Sequence, residues 1–287
     1  MNRVNVFSII SQVEEVPDID WNETQLSAEV GRKFYNSASV LFDIDPALSE
    51  AKAKYNEEGY AVIDLNGIGQ VNEHELKVSL ACLISGIGKP FGALKKMGFW
   101  GELSVKQDAR SGRAHSIGDI PLHFDFDQAS QPPDGLALFC VRADPFGGGA
   151  NTIINYQDFL NTLSVNELEL LKEIQLNYSV LYDVDGVGAE FNPHPLLESL
   201  QDGSFLFRYN ERVNIERTAE TASLFEKLDD FIKNNTSEVL LEKGSLLLVN
   251  QRKVVHGRRS LVSFESQARP PQSEDRLLWQ SYLRHYE

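Results

Sequence analysis

The seven residues Leu122-His123-Phe124-Asp125-Phe126-Asp127-Gln128 alternate strictly between apolar and polar side chains. On a strand, Leu122, Phe124 and Phe126 would share one face, and His123, Asp125 and Asp127 the other. A lone His-x-Asp is usually a strand with one solvated face. Here two aspartates, a residue type depleted in strands, occupy one short apolar-backed run. A histidine and a carboxylate two apart also suit adjacent coordination positions on one metal ion. A third ligand must then arrive from another strand, and His256 is the best candidate. The stretch 244–249 reads as a buried strand, 250–252 as a turn, and Val254-Val255-His256-Gly257 as the returning strand. Gly257 would permit close backbone approach beside the site. Two histidines and one carboxylate form a facial triad with open positions, suited to a non-haem Fe(II) oxygenase. Zinc would accept the same three ligands for hydrolysis. His115 and His194 are rival ligands, but neither lies on an obvious paired strand.

Several elements are available to hold these residues. Helical periodicity runs over 23–41 and 46–58, with Asp43-Ile44-Asp45-Pro46 as a helix start. A strand over 60–65 closes at Asn66-Gly67, and a helix over 73–85 ends at Gly86, Gly88 and Pro90. Beyond residue 100 the spacing predicts short strands over 102–106, 122–126, 136–141, 152–154, 174–182, 204–209, 245–249, 253–256 and 276–284. Helical patterns interrupt them over 166–173 and 218–233. Many short strands favour a sandwich or barrel over a parallel βαβ sheet. The expected organisation is one domain, 1–287, with a helix-rich part over 1–100 and a β-rich part over 101–287. The stretch 266–275 alone is linker-like.

Composition narrows the partners. The 287 residues carry 27 Lys and Arg against 42 Asp and Glu, a net charge of −15. That excess opposes a phosphate backbone, so nucleic acid is not an expected partner. No run approaches ~18 consecutive apolar residues, so no membrane-spanning helix is expected. Cys82 and Cys140 both lie in apolar runs and no secretory signal is visible, which points to a reducing, cytoplasmic setting. Other chemistries lack their residues. Val78 stands where a zinc-protease helix would carry the second histidine after His74-Glu75. Gly86-Ile87-Gly88 runs into Pro90 instead of opening a dinucleotide-binding helix. Neither a Gly-x-Ser-x-Gly elbow nor a phosphate-binding loop is present.

Five motifs follow in one order: His123-Phe124-Asp125, the 132–142 strand, Gly147-Gly148-Gly149-Ala150-Asn151-Thr152, His256-Gly257-Arg258 and Asp275-Arg276-Leu277-Leu278. In that order the chain resembles the iron(II)/2-oxoglutarate-dependent oxygenases of the taurine dioxygenase type, in their clavaminate synthase-like branch. The resemblance runs from about residue 120 to the C-terminus. It implies a double-stranded β-helix (jelly-roll) core, mainly β, with flanking helices. It implies Fe(II), 2-oxoglutarate as co-substrate, and O2. The implied reaction hydroxylates an unactivated C–H of a small molecule while 2-oxoglutarate is decarboxylated to succinate; relatives also desaturate or cyclise. The branch favours free, derivatised or carrier-tethered amino acids, often in secondary metabolism. His123, Asp125 and His256 match the family's iron ligands. Arg276, twenty residues after His256, matches the arginine that grips the distal carboxylate of 2-oxoglutarate, a task suited to a bidentate guanidinium. Thr152 matches a threonine that hydrogen-bonds the same carboxylate.

There are departures from the family's pattern. Gln280 stands where many members carry a second arginine, so a taurine-like sulfonate is not the expected substrate. On a strand Gln280 shares a face with Arg276, roughly 13 Å away. The related halogenases have Gly or Ala at the position of Asp125, so halogenation is not expected either. His115, Asp127, Arg208 and Gln280 are the candidate substrate-facing residues, and 183–195 is a candidate lid. Two rival readings remain: a zinc hydrolase, in which Arg276 and Thr152 have no role, and a non-catalytic jelly-roll binding module.

Overall fold

The computed structural model describes residues 3–13, 17–106, 109, 112–176, 194–211, 217–261 and 274–286. Its N-terminal part runs β1 (Val4–Asn5), α1 (Val6–Gln12), α2 (Ala28–Ile44), α3 (Pro46–Glu57), β2 (Tyr60–Asn66), α4 (Glu73–Ser85) and β3 (Lys89–Phe91). Local capping sets the helix starts. Ser27 Oγ accepts from Val30 N, so α2 begins later than the periodicity from residue 23 suggests. Asp45 caps α3 with Pro46 in its first turn, and Asn72 and Glu75 form a reciprocal capping box on α4.

The remainder supplies β4 (Gly101–Ser104), β5 (Ile120–His123), β6 (Gly135–Arg142), β7 (Asn151–Asn155), α5 (Tyr156–Leu160), α6 (Val165–Glu173), β8 (Leu197–Ser199), β9 (Phe205–Phe207), α7 (Ala222–Asn235), β10 (Ser237–Val239), β11 (Ser245–Asn250), β12 (Val254–Arg258) and β13 (Leu277–Arg284). A seven-stranded sheet has the order β1-β2-β11-β6-β13-β3, with β4 also on β13. A four-stranded sheet has the order β10-β7-β12-β5, and β8 and β9 form a separate hairpin.

Three apolar layers hold the sheets, in keeping with a jelly-roll flanked by helices. Leu136, Leu138, Leu247, Val249 and Leu278 of the larger sheet meet Ile153 and Val254 of the smaller one between the two. The outer face of the larger sheet, with Ile63, Phe139, Leu248 and Trp279, packs on α1 to α4. The outer face of the smaller sheet, with Leu122, Ile154 and Val255, packs on α5, α6, α7 and the β8–β9 hairpin. Membership of these layers therefore tells which side of each strand looks inward. Among the described residues no helix is long and apolar enough to cross a membrane. The strand expected over 174–182 falls outside the described residues from 177, as do most of the candidate lid and residues 266–273 of the linker-like stretch.

Candidate metal centre

β5 and β12 pair antiparallel with His123 and His256 as Cα partners. Both side chains face the space between the sheets, because their neighbours Leu122 and Val255 belong to the outer layer. The His123 Nδ1–H donates to Pro121 O at 2.8 Å, which leaves the Nε2 lone pair free to ligate. His123 Nε2 lies 3.2 Å from Asp125 Oδ1, and His256 Nε2 lies 3.7 Å from Asp125 Oδ2. One ligand atom from each of the three residues falls within 4.8 Å of the others. Neighbouring ligands of an octahedral ion with bonds of ~2.1 Å stand about 3 Å apart, so this donor set can close on one divalent metal. The histidines are buried and Asp125 is partly open.

Asp125 is not held by a strand. β5 ends at His123, and Phe126 takes φ 59°, so the expected strand over 122–126 stops three residues early. Left-handed backbone at a phenylalanine costs of order 1–3 kcal/mol and requires surrounding contacts that over-determine it. Those contacts are present. The Asp125 amide donates to Gln251 Oε1 at 2.7 Å, and the Tyr282 hydroxyl donates to Asp125 Oδ2 at 3.1 Å. Burial raises the Tyr282 phenol well above its ordinary pKa, so it remains a donor. The turn also breaks the alternation that would place Asp127 beside Asp125. Asp127 is buried, and its Oδ2 accepts from Asn210 Nδ2 at 2.6 Å.

Arg276, just before β13, is buried at 7% exposure, and its guanidinium has no hydrogen bond or ion pair among the described residues. Burial pulls it down to about 10, so it stays charged at neutral pH. Gly149, with φ 77°, passes close by: a Cβ there would lie 2.6 Å from Leu261 Cδ2 and 3.4 Å from Arg276 Nε. Arg258 approaches the same region and is pulled down to about 9, by burial first and then by the charge of Arg276. It donates to Ser116 O at 2.7 Å and Gly118 O at 2.6 Å, latching that loop against β12. The β7–β12 register fixes the neighbours of Thr152. Thr152 pairs with Gly257 and shares the outer face with Ile154 and Val255, whereas Asn151 pairs with Arg258 on the side of Ile153 and His256. The Asn151 side chain is tied to β10, its Nδ2 donating to Val239 O at 3.2 Å.

The remaining candidates divide. Gln280 lies on the inner face of β13 between Leu278 and Tyr282, half-buried. The His115 Nδ1–H donates to Ser104 O at 2.7 Å, beside β4, and burial lowers its pKa. Arg208 is fully buried and tied to its neighbours. Its Nε donates to Glu198 at 2.8 Å, and its Nη1 donates to the carbonyls of Asp127 and Ala129 at 2.7 and 2.8 Å. His194, the rival ligand, bonds to the backbone of Gln128 and lies outside the triad. Gln251 and Tyr282, which hold Asp125, escaped the sequence reading. The period-two spacing of Leu278, Gln280 and Tyr282 on a strand after Arg276 is the one signal that could have found Tyr282.

Comparison with known proteins gives the family and the fold. A profile of the family described as taurine catabolism dioxygenase TauD, TfdA family, matches residues 95–282. A curated relative, dioxygenase str8 of Strobilurus tenacellus, is 23% identical over 198 residues, covering 65% of this chain and 46% of that protein. The chain thus matches less than half the length of that relative. An asparagine oxygenase structure superposes with a TM-score of 0.67 at 18% identity, covering 97% of this chain and 88% of the other. The non-haem iron oxygenase OrfP, solved with Fe and alpha-ketoglutaric acid, superposes with a TM-score of 0.73 at 16% identity, covering 98% and 92%. These two structures share the fold. With the family profile matching well over half of the sequence, the chain belongs to the TauD/TfdA dioxygenase family.

Proposed function

We propose that the chain is an Fe(II)/2-oxoglutarate-dependent dioxygenase that hydroxylates an unactivated C–H of an amino acid, with 1–287 acting as one unit. The observation that carries this reading is the convergence of His123, Asp125 and His256, in a fold that also holds the buried guanidinium of Arg276 without a hydrogen bond or ion pair among the described residues. His123 Nε2, the Asp125 carboxylate and His256 Nε2 would hold the iron on one side, leaving the other side open. When bound, iron with O2 and 2-oxoglutarate supplies the oxidising power, and 2-oxoglutarate leaves as succinate and carbon dioxide. Arg276 grips the distal carboxylate of 2-oxoglutarate as a charged fork. The apolar layer between the sheets excludes water around the bound co-substrate. The zinc-hydrolase reading leaves Arg276 without a task.

The substrate class rests on the neighbours. The asparagine oxygenase is solved with Fe(II), a 3-hydroxyasparagine and succinate, and OrfP with hydroxylated L-arginine. A free amino acid therefore fits best, with neutral Gln280 meeting an uncharged or hydrogen-bonding group. The buried free thiols of Cys82 and Cys140 suit a reducing compartment such as the cytoplasm. Anaerobic addition of Fe(II) and 2-oxoglutarate should raise a weak visible band near ~500 nm, as expected of a 2-oxo acid chelating a facial-triad iron. Amino acids that turn over would then yield succinate and a product heavier by one oxygen. Absence of the band and of 2-oxoglutarate affinity, with tight zinc binding, would refute the oxygenase reading.

A further inference from the structure

Asp125 is the one member of the triad that no strand ladder holds, since β5 ends at His123. Its two ends are anchored by different parts of the chain, a turn and a strand of the larger sheet. The backbone end is held by Gln251, in the turn joining β11 to β12, whose Oε1 accepts the Asp125 amide at 2.7 Å. Gln251 is itself fully buried and fixed: its amide donates to Asp134 O at 2.8 Å and its Nε2 to Pro133 O at 3.1 Å. The carboxylate end is held by Tyr282 of β13, whose hydroxyl reaches Oδ2 at 3.1 Å. The Tyr282 ring is wedged between two others, Phe126 edge-on at 5.1 Å and Phe91 at 6.2 Å. The left-handed turn at Phe126 thus brings its ring onto the same tyrosine that aims the preceding carboxylate.

We propose that Tyr282 is a positioning residue of the metal centre, engaging Oδ2 so that Asp125 presents Oδ1 to the ion beside His123. This rests on the reading of Asp125 as a ligand. A carboxylate free to rock can chelate through both oxygens and fill a position that co-substrate or O2 needs. A phenol on one oxygen occupies a lone pair of that oxygen and weakens its donation, which keeps the ligand monodentate. Outer partners of this kind tune metal affinity as well as geometry.

Tyr282→Phe keeps the ring and its packing and removes the hydroxyl alone. Titration of the full chain with Co(II), whose d–d absorption reports coordination number, reads the effect without turnover. Tyr282→Phe should keep the wild-type circular dichroism and Tm, bind Co(II) at least ~10-fold more weakly, and show altered d–d bands. Asp125→Ala separates the two layers of the argument. If Asp125→Ala binds Co(II) as wild type does, the ligand assignment itself fails. If Asp125→Ala loses the metal while Tyr282→Phe matches wild type in affinity and bands, the role of Tyr282 is overturned. An arm independent of the variant's folding uses wild-type protein: Co(II) binding should perturb the near-ultraviolet tyrosine absorption. A wild-type protein that binds Co(II) with no tyrosine signal would equally overturn the proposal.

Discussion

His123 and His256 stand opposite each other in the register of β5 and β12, with ring centroids 4.5 Å apart. Two ligands are thereby fixed by one strand pairing, and the third hangs on a turn beside them. Removing either imidazole should cost more than an outer partner does, so His256→Ala should weaken Fe(II) or Co(II) affinity by more than ~100-fold. Equilibrium metal titration checks this, and an affinity within a few fold of wild type would remove His256 from the site.

The pairing depends on Gly257. A Cβ there would lie 2.5 Å from Ile120 O, 2.8 Å from Thr152 Oγ1 and 3.2 Å from Leu122 N. Two of those atoms are backbone of β5, the strand that carries His123, so β5 must move. Gly257→Ala should destabilise the fold by about 1–3 kcal/mol and weaken metal binding at the same time. Urea denaturation alongside Co(II) titration measures both; loss of stability with unchanged metal affinity would show that β5 does not carry His123 with it.

Arg276 should govern co-substrate affinity. Arg276→Lys retains the charge but loses the planar fork, removing a charge-assisted hydrogen bond worth roughly 1.5–3 kcal/mol, or about 10–100-fold in the Kd of 2-oxoglutarate. A base with a lowered pKa loses its charge as pH rises through that value. With Arg276 held down to about 10, wild-type affinity should be insensitive to this group from pH 7 to 9 and fall as pH climbs through about 10. Calorimetric titration of 2-oxoglutarate across that range, and with the lysine variant, reads both outcomes.

Arg208 offers a test of structure against recognition. Its guanidinium joins Glu198 to the backbone carbonyls of Asp127 and Ala129. Arg208→Ala strands these partners, so stability should fall by about 3–5 kcal/mol. A denaturant midpoint unchanged from wild type, with a raised KM for substrate, would instead give Arg208 a role in recognition.

The chemistry of the centre was legible because it is written in residue types and short spacings. His123 and Asp125 two apart, a returning strand with His256, and Arg276 twenty residues on name the donors without reference to the rest of the chain. Starts set by side chains a few residues away were equally legible, as at Asp45-Pro46 of α3 and Asn72 of α4. Period-two alternation separates the two faces of a strand but does not say which one looks inward. That choice came from partners far along the chain. β12 fixed the register that sets Thr152 opposite Gly257, and Gln251 and Tyr282 drew Asp125 and Phe126 out of the strand their alternation predicts. Arg208 is buried because carbonyls some eighty residues earlier satisfy it. Local sequence determines which groups are available; where each one points is decided by hydrogen bonds and packing that exist only once distant strands have met.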